Sequence, residues 1–150
     1  MIDYFDASAI VAIVLDERTG AAVGSLTSET DATIVSVLGI GEASSAISRL
    51  VRMNEKSLDE GRLLIDALDD WADDAADFAD IEDEDFEEAM QLVRAFELKL
   101  RMPDALHLAL VARLGVRLIT LDKNLAAAAR AVGVDTYNPA EGHVPGEPKD

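Results

Sequence analysis

The chain has no cysteine, only two histidines, few aromatic residues and no long apolar run. Without cysteine there is no disulfide, no thiolate metal site and no cysteine nucleophile. His107 and His143 are too few for a histidine-rich metal centre. No apolar stretch approaches the roughly 20 residues of a membrane span. The opening MIDYFDASAI lacks the basic head and long apolar run of a signal peptide. The expectation is therefore a cytoplasmic protein with no membrane association. No GxSxG, GxGxxG or GxxxxGKS pattern occurs, which removes the usual serine-hydrolase and nucleotide-binding signatures.

What the chain does carry is acid. Its formal net charge of −17 argues at first against a nucleic-acid partner. The distribution changes that reading. From Asp66 to Glu88 there are 13 acids and no Lys or Arg, so the other 17 of the 30 acids face all 13 bases, a balance of −4. The excess is one local feature, read as a solvated face that keeps the protein soluble or else as a docking face for a basic partner.

A chain of 150 residues suits one domain and buries roughly 70% of its unfolded surface. Strands are expected at 2–5, 33–37, 76–81, 117–121 and 134–137, the third being weak because Asp77 and Asp80 interrupt it. Helices are expected at 7–15, 19–28, from Gly39 and Gly41 to Met53, 58–72, 85–98, Pro103 to Leu114 and 123–132. Such alternation predicts an α/β fold, a three-layer α/β/α sandwich around a central, mostly parallel sheet. The domain is placed at 1–139, with 140–150 as a mobile tail.

Asp6, Glu42 and Asp122 each follow a strand candidate, and Asp104 opens the helix that feeds the third. Singly, each has a capping or helix-dipole explanation. Together, in a parallel sheet, they point to one edge. Two carboxylates about 5 Å apart repel by roughly 3 kcal/mol at an effective dielectric near 20. Four would hold protons or bind a cation. Carboxylates without thiolates favour Mg²⁺ or Mn²⁺. Ser8 and Thr120 stand two residues from Asp6 and Asp122, where a hydroxyl could hold a carboxylate or a metal-bound water. His107, three residues after Asp104, shares its helix face, as a hydrogen-bonded supporting residue rather than a ligand.

FDASAIVAIVLDE at residues 5–17, VLGIGEASSAISRL around Glu42, and PDALHLALVARLGVRLITLDKNLAAAARAVGV at residues 103–134 resemble the PIN-domain ribonucleases, especially VapC-like toxins of toxin–antitoxin pairs. The resemblance spans about residues 1–139. It implies a Mg²⁺- or Mn²⁺-dependent endoribonuclease whose acidic site is Asp6, Glu42, Asp104 and Asp122, with metal held mainly by Asp6, Asp104 and Asp122. Ser8 and Thr120 match the supporting hydroxyl positions. It also implies a homodimer silenced by a cognate antitoxin.

Arg49, Arg52 and Lys56 form a short cationic stripe beyond Glu42 that could meet RNA phosphates, with Arg62, Arg113 and Arg117 as further candidates. The alternative function is a receiver-type phosphoacceptor domain, using an acidic Mg²⁺ pocket with Thr120 and Lys123. It leaves Glu42 and Asp104 without a role. A phosphohydrolase with an aspartyl nucleophile wants a second acid where Ser8 stands. A non-catalytic interaction domain would not require all four acids.

Overall fold

A computed structural model describes residues 1–15 and 17–141. Five parallel strands, β1 (Ile2–Phe5), β2 (Ala32–Val35), β3 (Asp77–Phe78), β4 (Arg117–Ile119) and β5 (Thr136–Tyr137), form one sheet in the order β3-β2-β1-β4-β5. The helices are α1 (Ala7–Leu15), α2 (Glu17–Glu29), α3 (Val37–Arg52), α4 (Leu58–Ala75), α5 (Asp83–Arg94), α6 (Met102–Leu114) and α7 (Lys123–Ala131). This order departs from the 2-1-3-4-5 sheet of receiver-like folds, and the receiver alternative loses its structural basis.

The two faces of the sheet follow from the period of two along each strand. Tyr4 and Leu118 face a core built by α5, α6 and α7, with Ala89, Leu108 and Leu125. Phe5 and Ile119, one residue further along, face a second core built by α1 to α4, with Ile10, Ile47 and Leu68. The result is the expected three-layer sandwich. No described helix is long and apolar enough to cross a membrane.

Several boundaries differ from expectation for local reasons. β2 stops at Val35 because Ser36 caps the following helix, its hydroxyl accepting the Gly39 N–H. Val37 thus starts α3 and is exposed, so this helix begins at a serine cap, ahead of the glycine pair. α5 starts two residues early because Asp85 Oδ2 accepts the Glu82 N–H at 2.9 Å and so caps the start of the helix. It ends at Arg94, and Phe96–Leu98 is a separate 3-10 turn closed by Lys99 at φ +56°. The apolar residues Phe86 and Met90 of this helix are 45% and 42% exposed, and Phe96 is 83% exposed. Ala89 and Leu92 fill the core from this helix. β3 is two residues long at the sheet edge and exposed. Residues 142–150 of the expected tail lie outside the described residues, whereas Ala140 and Glu141 belong to a 3-10 turn tied to α7 by the Arg130–Glu141 ion pair.

Candidate active site

In a parallel sheet every strand ends at the same edge. Here Asp6 follows β1, Ser36 follows β2, and the Thr120–Asp122 turn follows β4. Asp6 is buried, and both carboxylate oxygens are occupied. Oδ1 accepts the Ser8 hydroxyl at 2.6 Å and the Ala9 N–H at 3.0 Å, while Oδ2 accepts the Thr120 hydroxyl at 2.5 Å. Ser8 Oγ in turn accepts Leu121 N–H at 2.9 Å, and Thr120 Oγ1 accepts Asp122 N–H at 3.0 Å. With both protons spent on Asp6, the 3.2 Å approach of the two hydroxyl oxygens is a contact rather than a bond. Burial pushes the Asp6 carboxyl pKa up, and the donors from Ser8, Thr120 and Ala9 draw it back.

The other acids sit in the first two turns of helices around this centre, or cap one. Asp122 caps α7 by accepting Leu125 N–H at 3.0 Å. Asp104 lies in the first turn of α6, after an extended Arg101 and with Pro103 just inside the helix. Its carboxyl pKa is raised, first by burial and then by the negative charges of Asp122 and Glu42. Glu42, in the second turn of α3, lies with Oε1 2.5 Å from His107 Nε2. Folding therefore brings Asp6, Glu42, Asp104 and Asp122 to one edge, with Ser8, Thr120 and His107 beside them.

Among the described residues, no three Asp, Glu or His side chains form a ready ligating cluster for one ion. Asp6 and Asp122 each accept protein donors, and Glu42 stands against His107. The donor set still fits a hard divalent cation. It is carboxylate and hydroxyl with no thiolate, and it leaves Asp104 in a field of like charge that a cation would relieve.

The stripe Arg49, Arg52 and Lys56 is exposed. Arg49 and Arg52 close α3, about 10 and 15 Å further along the helix than Glu42. Lys56 stands 3.8 Å from Glu60, and Arg62 stands 3.7 Å from Asp59. Arg113 and Arg117 are committed elsewhere. Arg113 grips Asp85, and Arg117, at the start of β4 and the opposite edge, makes two bonds to buried Asp3 at 2.8 and 2.9 Å.

Sequence reasoning missed Ser36 and Tyr4, which contact His107's surroundings from β1 and the end of β2. A Ser placed before a helix, with the donor three residues on, was a readable capping signal for Ser36. Nothing local marked Tyr4.

Residues 4–131 match the PIN domain family, and the chain belongs to it. Its fold is that of VapBC2 from Rickettsia felis, solved bound to a DNA fragment from its promoter (TM-score 0.69, 13% identity, covering 92% of this chain and 98% of that one). It is shared with PAE2754 from Pyrobaculum aerophilum (TM-score 0.69, 18% identity, 94% and 91% covered). VapC20 from Mycobacterium tuberculosis, a toxin that cleaves the sarcin-ricin loop, also shares it (TM-score 0.66, 18% identity, 84% and 94% covered). No curated protein matches the chain in sequence.

Proposed function

We propose that the chain is a metal-dependent endoribonuclease acting as the toxin of a toxin–antitoxin pair. The observation that carries the reading is Asp6, buried at the end of the central strand with both oxygens held, at one edge with Glu42, Asp104 and Asp122. Asp6, Asp104 and Asp122 would hold Mg²⁺ or Mn²⁺. A bound ion of this kind lowers the pKa of water and neutralises charge on a phosphodiester. Ser8 and Thr120 orient Asp6, Glu42 accepts from His107, and Asp104 contributes the least satisfied carboxylate. Arg49, Arg52 and Lys56 would meet phosphates that flank the scissile one.

The partners proposed are RNA as substrate, a protein antitoxin and a second copy of the chain. Structures of toxin–antitoxin complexes among the fold neighbours support the antitoxin. The exposed apolar residues Phe86 and Met90, one turn apart on α5, support dimerisation. Light scattering of the wild type and of Met90→Asp tests this, the variant being expected as a monomer.

The decisive experiment measures RNA cleavage with Mg²⁺, Mn²⁺ or chelator for the wild type, Asp6→Asn and Asp104→Asn. Cleavage should need metal and vanish in both folded variants. Mn²⁺ at about 100 times its Kd should also stabilise the wild type by about 2.7 kcal/mol, and Asp104→Asn should lose most of that shift. Undiminished cleavage by both variants overturns the assignment.

A further inference from the structure

Side chains from four segments of the chain form a continuous hydrogen-bonded path into the pocket. Buried Ser36 has its Oγ 2.7 Å from Tyr4 Oη, and Tyr4 Oη lies 2.7 Å from Nδ1 of His107. Nε2 of His107 reaches Glu42. His107 is 1% exposed, and a Cβ on Gly39 would come within 3.6 Å of its Cε1, so the ring sits among fixed neighbours.

The direction of the protons follows from counting donors. Ser36 Oγ already accepts the Gly39 N–H at 3.2 Å. Among the described residues its hydroxyl proton has only Tyr4 Oη to receive it. Tyr4 then directs its own proton to Nδ1 of His107. An Nδ1 that accepts leaves the ring proton on Nε2, which donates to the Glu42 carboxylate. An imidazolium fails the same count. It would reverse the Tyr4 hydroxyl and leave the buried Ser36 proton without an acceptor.

We propose that Ser36 and Tyr4 are positioning residues: their one-way relay holds His107 as the Nε2–H tautomer, and that N–H fixes the Glu42 carboxylate in the pocket. The bond made by one ring nitrogen sets what the other can do. The tautomer stands on geometry alone, whereas its service to cleavage rests on the nuclease reading.

Two-bond ¹H–¹⁵N NMR spectra at neutral pH test the relay, with His143→Gln identifying the His107 ring. The wild type should show a protonated Nε2 and an unprotonated Nδ1. A protonated Nδ1, as the other tautomer or as imidazolium, overturns the relay. Tyr4→Phe keeps the buried ring and removes only the hydroxyl. It should lose the single tautomer and lower kcat on RNA roughly 10- to 100-fold, with KM changed less than about twofold. A lost tautomer with unchanged kcat overturns the positioning role. Should Tyr4→Phe fail to fold, His107→Gln, which keeps a donor near the Nε2 position, should cleave faster than His107→Leu. Equal rates in that pair overturn the role as well. A wild type that cleaves no RNA, yet shows the expected tautomer, instead refutes the nuclease reading and removes the positioning role with it.

Discussion

Thr120→Val separates the hydroxyl of this buried residue from its bulk, since valine has nearly the same shape. The substitution removes the donor to Asp6 Oδ2 and the acceptor of Asp122 N–H. A hydrogen bond to a charged group contributes about 1.5–3 kcal/mol, and an orphaned N–H costs about 1–3. Asp122 is half-buried, so water offsets much of the second loss. A net cost of about 2–4 kcal/mol corresponds to a fall in Tm of roughly 5–12 °C for a chain of this size. The pH dependence gives the sharper test. Burial already raises the Asp6 pKa above the ordinary 3.8, and losing the Thr120 donor raises it further. The wild-type advantage is therefore complete where Asp6 is ionised in both proteins, and it fades as pH falls through the two raised folded values. Thermal melts by circular dichroism should show a wide gap at about pH 8 that narrows toward acid, with Thr120→Ser close to wild type throughout. An unchanged Tm at the alkaline end, or a gap that widens on acidification, refutes the reasoning.

Arg117→Met leaves the fully buried Asp3 without its partner and should cost about 3–5 kcal/mol in urea unfolding, most of it regained in the double variant with Asp3→Asn. The pair lies at the edge opposite the acids, so cleavage per folded molecule should not change. Gly20→Ala sets a Cβ 2.2 Å from the Ala12 carbonyl oxygen, which forces α2 away from α1. Such overpacking should cost about 1–3 kcal/mol, read from the denaturation midpoint. Arg49→Ala should weaken RNA binding and reduce the salt slope of log K by about 0.7. An unchanged slope would remove Arg49 from the RNA surface.

Much of the architecture was legible because its causes are local. The β-branched run at 33–37 and the apolar run at 117–121 announced strands, helical spacing announced α4, and Pro103 marked the start of α6. Where the reading slipped, another local signal competed. Ser36 as a cap shortened β2, and the Glu82–Asp85 cap moved the start of α5. The exposure of Phe86, Met90 and Phe96 was not legible, since spacing marks an apolar face without saying what covers it.

The amino-acid order alone placed Asp6 and Asp122 at strand ends and Asp104 in the first turn of a helix, and so marked which acids could share an edge. That follows from periodicities of two and 3.6 and from capping chemistry, all of which act over a few residues. Three-dimensional packing decided the partners. Thr120 holds Asp6 across 114 positions, Tyr4 reaches His107 across 103, and Arg117 neutralises Asp3 across 114. Those bonds depend on strand order and on which face each side chain meets, and no local pattern encodes a contact between segments that distant in the chain.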